Sequence, residues 1–170
     1  MQTPEIKRLI RRGQQKKKSL GLFLKKLGKK QPRYIKALTK EADAATWQEI
    51  GCLDCANCCK TMTPTFTKSE VKKIAGHFKQ TYQQYFDKYL KIDEDNGDII
   101  NRSQPCQHLK KDNKCAIYEI RPSDCSGFPH HVRPDFWHQI SEKTYANNIP
   151  RCPATLTFVE KLKELVEAGK

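Results

Sequence analysis

Eight cysteines stand in 170 residues, and four of them crowd into the run Cys52-x-x-Cys55-x-x-Cys58-Cys59. In a Cys-x-x-Cys turn the two intervening residues let both thiolates point into one coordination sphere, and here two such turns overlap. Cys52, Cys55 and Cys58 have the spacing that bacterial ferredoxins use to contact one cubane cluster. Cys59 directly follows Cys58, and adjacent side chains are expected to point apart. Cys59 is therefore expected to serve a second metal, to support the first from behind, or to act chemically. Cys106 and Cys115 flank a turn containing Lys111-Asp112-Asn113, so they can approach one another. Cys125 falls in the first turn after Pro122, where a helix dipole favours a thiolate. Cys152 precedes Pro153, like the remote cysteine of a ferredoxin set. All eight are candidate metal ligands, enough for two four-sulfur sites or for one site plus reactive thiols. Sulfur ligands suit zinc and iron–sulfur clusters alike, the four-iron, four-sulfur type included, and the three-cysteine run favours iron–sulfur. His130 and His131 lie close enough to Cys125 to add nitrogen, although a loop histidine pair is more often solvated or packed.

The elements that must position these residues are mainly helical. Residues 34–50 read as a helix stopped by Gly51, just ahead of the first cysteine. Thr67-Lys68-Ser69-Glu70 has the form of a capping box, followed by Val71, Ile74, Ala75 and Phe78 on one helical face. Thr81 caps a second helix whose Tyr82, Tyr85, Phe86, Tyr89 and Leu90 read as core rather than as a nucleic-acid stacking platform. Residues 93–98 resemble half a calcium loop, but the twelfth position is Gln104, so they read as a hairpin turn. Short extended pieces follow Pro105, a tight turn spans 110–114 and a short helix starts near Pro122. Residues 132–149 are weakly patterned, and 153–168 form a closing helix.

Charge divides the chain. Residues 1–40 carry fourteen of the 32 basic residues against one acid, Glu5, whereas positions 41–170 carry eighteen of each sign. Residues 1–33 are thus expected to form a basic arm of short amphipathic helices (Ile6, Leu9, Ile10; Leu20, Phe23, Leu24, Leu27), interrupted at Gly13, Gly21, Gly28 and Pro32. Counterion release would draw such an arm to RNA, the ribosome, DNA or an anionic membrane surface, and the alternative is a solvated tail with no dedicated partner. No stretch is long or apolar enough for a signal sequence or a membrane span, which leads to the expectation of a cytoplasmic protein with thiols reduced or metal-bound. The expected fold is mainly α with short irregular β segments: a small single domain, residues 34–170, organised around a cysteine metal cluster, behind the arm 1–33.

The ordered combination of Cys52-x-x-Cys55-x-x-Cys58-Cys59, Pro105-Cys106-x-x-Leu109, Cys115-x-Ile117-Tyr118-x-x-Arg121-Pro122-x-x-Cys125-x-x-Phe128-Pro129 and Cys152-Pro153 resembles the YkgJ-type cysteine-cluster proteins, described as zinc- or iron-chelating domains. The resemblance spans roughly residues 47–160. It implies a metal or iron–sulfur binder, with a redox partner where the cluster handles electrons. A related group of flagellin lysine methylases implies the alternative of a metal-dependent enzyme acting on a protein substrate. This chain has neither a Gly-rich loop assignable to S-adenosylmethionine nor the Cys-x-x-x-Cys-x-x-Cys spacing of radical enzymes. Arg121 matches the pattern at a non-ligand position, where it would either neutralise thiolate charge or form a surface salt bridge.

Overall fold

The computed structural model describes residues 3–132 and 143–169. Most of the weakly patterned stretch 132–149 lies at 133–142, outside the described residues. The chain folds mainly as helices with a few short strands, in two compact units: residues 2–55 with 129–170, and residues 56–128.

The first unit is helical. It comprises α1 (Pro4–Lys29), α2 (Ile35–Glu49), α3 (Cys52–Cys55), α8 (Lys143–Asn148) and α9 (Pro153–Glu167). Thr3 caps α1 with its hydroxyl on the Ile6 amide, and Pro4 occupies the first turn, where no amide donor is needed. The expected interruptions at Gly13, Gly21 and Gly28 do not occur: α1 runs unbroken through all three. Gly13 is a place of close approach, since a Cβ there would lie 2.5 Å from the Ile149 carbonyl oxygen and 3.1 Å from Pro150 Cα. At Gly21 a Cβ would come 3.3 Å from that of Ala146. These positions let α1 lie tightly against α8 and the turn after it. Leu20, Leu24 and Leu27 then join Ile35, Leu38 and Ala42 of α2 and Leu156, Phe158, Val159 and Leu162 of α9 in one buried cluster. Thr39 and Thr46, also buried in α2, return their hydroxyl protons to carbonyls one turn earlier.

The second unit contains α4 (Asn57–Thr61), α5 (Lys68–His77), α6 (Tyr82–Tyr89), α7 (Ser123–Gly127) and an antiparallel sheet of β1 (Thr65–Phe66), β2 (Leu90–Ile92) and β3 (Ile99–Asn101) in the order β1-β3-β2. The capping box at Thr67 and Glu70 is present, and the cap at Thr81 is a second such box, with Gln84 reaching back to Thr81. The 93–98 turn joins β2 to β3, which pair with Ile92 opposite Ile99. The core is Phe66, Val71, Ile74, Ala75, Tyr85, Leu90, Ile99 and Ile117. The α6 aromatics pack on this core, as their spacing predicts.

Buried His108 ties this core to the cysteine-bearing loop. The Tyr85 hydroxyl meets His108 Nε2 at 2.6 Å, and Phe78 stacks on the imidazole at 5.3 Å. The His108 carbonyl accepts the Ala116 amide at 2.8 Å.

Candidate metal centre

Five cysteines lie in the 56–128 unit. Cys58 and Cys59 are consecutive in α4, and their sulfurs are 3.9 Å apart rather than pointing away from each other. Successive residues of a helix differ by about 100° around its axis, not by the half turn of an extended chain, so neighbouring thiols can share a side. The distance resembles the roughly 3.8 Å expected between two sulfurs on one tetrahedral ion with metal–sulfur bonds of about 2.3 Å. α4 starts afresh because Ala56 adopts a left-handed conformation, φ 47°, between α3 and α4. A side chain in that region costs roughly 1–2 kcal/mol.

Backbone contacts bring the later cysteines to this helix. The Cys106 amide donates to the Cys59 carbonyl at 2.8 Å. Leu109 donates to the Cys106 carbonyl and bridges antiparallel to Cys115, closing the loop through the turn in which Asn113 takes φ 68°. Cys125 rides on α7, which two carboxylates pin. Asp124 accepts the β1 amide of Thr65 at 3.0 Å, and Glu70 accepts the first α7 amide, that of Ser123, at 2.7 Å. Burial pushes the Glu70 carboxyl up, but the hydrogen bonds from Ser123 and Thr67 outweigh it and hold the group below its usual range. Glu70 therefore caps two helices at once, and only its capping-box half was visible in the sequence.

Burial and neighbouring sulfurs shift these thiols in opposite directions. Cys59 is brought down to about 7 by its hydrogen bond with Cys58, against the effect of burial and with help from Lys60. Burial raises Cys106, Cys115 and Cys125, and each is raised further by Cys59, Cys106 also by Cys115, and Cys125 also by Cys106 and Cys115. Cys125 is a correction to the sequence reading: the short α7 does not lower its thiol, because burial and three neighbouring sulfurs dominate. Arg121 stacks on the Tyr118 ring at 3.6 Å, hydrogen-bonds the Tyr118 carbonyl, and its charge favours the Cys115 thiolate.

Cys59, Cys106, Cys115 and Cys125 thus form one interacting set drawn from three separated segments, with Cys58 beside it. Cys52, Cys55 and Cys152 belong to the other unit. Cys52 is exposed, whereas Cys55 and Cys152 are buried, and Cys152 caps α9 by accepting the Thr155 amide on its sulfur at 3.5 Å. No disulfide joins any of the eight. Among the described residues, no three His, Cys, Asp or Glu side chains are gathered at the spacing of a finished metal site.

The chemistry of the interacting set nevertheless fits a soft cation. Four thiolates would repel one another, and a divalent ion or cluster would relieve that repulsion. Asn101 is buried, and its Nδ2 meets no acceptor oxygen or nitrogen among the described residues. Its amide favours the Cys106 thiolate, so it is a donor suited to a charged sulfur. The family model described as "CxxCxxCC: Putative zinc- or iron-chelating domain" matches residues 51–153, from the residue before the first cysteine to the residue after the last.

The chain belongs to the CxxCxxCC family. An uncharacterized protein of Methanocaldococcus jannaschii is 33% identical over 84 residues, 48% of this chain. That match covers 45% of the relative, so the chain spans less than half the length of the curated protein it matches. No solved structure matches. In this CxxCxxCC chain neither of two open surface depressions is lined by a cysteine. One lies among Phe66, Tyr82, Phe86 and Ile92, and the other among Arg8, Arg12, Glu160 and Glu164.

Proposed function

We propose that the chain is a metal-binding protein in which Cys59, Cys106, Cys115 and Cys125 hold zinc or iron as an all-sulfur site that secures the 56–128 unit. The carrying observation is the convergence of three cysteine-bearing segments, held by the Cys106 to Cys59 backbone bond, the bridge between Leu109 and Cys115 and the pinned α7. The unit's own apolar core is small, and a domain of that size commonly relies on a metal or another staple. Cys58, Asn101 and Arg121 surround the set with a hydrogen bond, a donor and a positive charge. Protein purified without oxygen is expected to carry near-stoichiometric zinc or iron by elemental analysis, with visible absorption where the metal is an iron–sulfur cluster. Full-length reduced protein that carries neither metal, and takes up neither when offered, would overturn the proposal.

The basic face of α1 supports a second element of function, polyanion binding. Its apolar side is committed to the core through Leu20, Leu24 and Leu27, which leaves no apolar stripe for a membrane. Arg12 and Lys16 pair with Glu160, while Lys7, Arg8, Arg11, Lys17, Lys18, Lys25 and Lys26 are exposed along the helix. Among the described residues no helix is long and apolar enough to cross a membrane. RNA phosphates suit this linear array of cations. Changing Arg8, Arg11, Lys18 and Lys25 to glutamate should cut RNA affinity at least tenfold and flatten its salt dependence, as measured by filter binding across a salt series. Unchanged binding would count against RNA. Deleting the helix would be a poor test, because it would also empty the core.

A further inference from the structure

The helix α1 runs for 26 residues without a break, about 39 Å at 1.5 Å per residue. Its inner side is fixed: Leu20, Leu24 and Leu27 lie in the core, and Gly13 meets the turn after α8. Residues three, four and seven apart share one side of a helix. Arg11, Gln14, Gln15 and Lys18 stand at that spacing on the outer side, with Lys7 one turn before them and Lys25 two turns after, and all six are exposed. Leu22, between Lys18 and Lys25, is a lone exposed apolar residue on the same side. Glu5, in the first turn, is the one acid in the helix. Arg12 and Lys16 lie round the helix toward α9, where they pair with Glu160.

Two features of this outer face separate one nucleic acid from another. Proteins that hold single strands combine cations with aromatic side chains on which unpaired bases stack. Phe23 is the one aromatic residue of α1, and it packs against the core cluster, so the face has cations and no stacking platform. A duplex, whose bases are already stacked, needs none. Its phosphates also stand in fixed positions, so a helical row of cations can meet them without the entropy cost of ordering a flexible strand.

The second feature is shallowness. An α-helix reads B-form DNA by entering the major groove, about 12 Å wide and 8.5 Å deep. α1 has only its outer face to offer, because its inner side is packed on the core and on the turn after α8. The minor groove of A-form RNA is instead wide and shallow, and it displays 2′-hydroxyls. Gln14 and Gln15 occupy the middle of the row, with Arg11 one turn before and Lys18 one turn after. A glutamine amide both donates and accepts hydrogen bonds, as a 2′-hydroxyl does, whereas lysine and arginine only donate.

We infer that the outer face of α1 binds double-stranded RNA across its shallow minor groove, with Gln14 and Gln15 on ribose 2′-hydroxyls and the flanking cations on phosphates. The inference rests on the RNA reading above and narrows it to the duplex form.

The test is a fluorescence anisotropy titration of full-length protein against three probes: an RNA duplex of roughly 16 base pairs, one of its strands alone, and the DNA duplex of the same sequence. The RNA duplex should bind at least tenfold more tightly than either of the others. Gln14→Ala with Gln15→Ala, two exposed changes that favour the helix, should weaken RNA duplex binding by about tenfold and leave DNA duplex binding and its salt dependence unchanged. Arg11→Glu, by contrast, should weaken all three and flatten the salt dependence. A single RNA strand bound as tightly as the duplex, or RNA duplex binding unmoved by the glutamine changes, would overturn the inference while leaving the RNA reading standing. An RNA duplex held no more tightly than the DNA duplex would overturn it and leave only polyanion binding. Binding to none of the three probes would overturn the inference and the reading beneath it.

Discussion

Cys106→Ala is expected to lower zinc affinity in the 56–128 unit by two to three orders of magnitude and to lower the melting temperature of the metal-loaded protein by around 10 °C. Structural zinc sites bind with apparent free energies of about 10–16 kcal/mol, so one of four thiolates is worth roughly 3–4 kcal/mol. Binding to the folded state alone transfers that energy to stability. In a chain of this size about 1 kcal/mol moves the melting temperature by roughly 2–4 °C. Cys106 is the informative choice because three features meet there: its amide bonds to the Cys59 carbonyl, Asn101 favours its thiolate, and Cys59 and Cys115 both act on it. Competition with a chromophoric chelator reads the affinity, and calorimetry reads the melting temperature. The metal-free protein is the internal control, where the same substitution should cost only about 1 kcal/mol through lost packing. Equal losses in the loaded and metal-free states would mean that Cys106 is core and not a ligand. Cys58→Ala separates a neighbour from a ligand in the same assay: a loss of about 10–100-fold fits support of Cys59 from behind, and a larger one places Cys58 on the metal.

The second large effect concerns a glycine far from any cysteine in sequence. Gly13→Ala should lower stability despite improving helix propensity. The added carbon would meet the backbone of Ile149 and Pro150, which cannot swing aside as the end of a long side chain can. Overpacking of this kind costs about 1–3 kcal/mol, and the helical gain from alanine offsets up to about 1 kcal/mol of it. Gly13→Val loses most of that offset and adds bulk, so it should be worse. Gly76 provides the opposite case: it lies in α5 with nothing within 4 Å of an added Cβ. Gly76→Ala should therefore raise stability by about 0.5–1 kcal/mol. Denaturant midpoints for the three variants check the sign and the order.

The same pair of glycines shows what could be read from the sequence. Caps, hairpin turn and periodic helices were legible at α5, α6, α9 and the 93–98 turn because their signals are local. The three glycines of α1 look like breaks for the same reason: locally, that is what glycine does. The role of Gly13 depends on a turn more than 130 residues later and that of Gly21 on Ala146, which no window on the sequence contains. Charge counting sets residues 1–33 apart but says nothing about where Leu20, Leu24 and Leu27 go. The cysteines were all visible as candidates, yet their spacing could not show that Cys59 interacts with Cys106, Cys115 and Cys125 while Cys52 and Cys55 fall in the other unit. Glu70, Asp124 and Asn101 escaped notice as positioning residues because isolated polar side chains carry no pattern until the fold supplies their partners.

The boundary between the units falls inside the cysteine motif itself, between Cys55 and Ala56, and again between Phe128 and Pro129. One unit is therefore a single uninterrupted stretch of chain, while the other is assembled from two pieces separated by it. On the ribosome the uninterrupted stretch emerges whole, with Cys59, Cys106, Cys115 and Cys125 all available, before α9 has been made. The divided unit has to wait, since Leu156, Phe158, Val159 and Leu162 lie at the heart of its core and arrive last. Domains tend to fold as units in the order in which they are synthesised. The order of translation thus sets an order of assembly, with the segments that carry Cys59, Cys106, Cys115 and Cys125 able to pack together while α1 and α2 are still without α9.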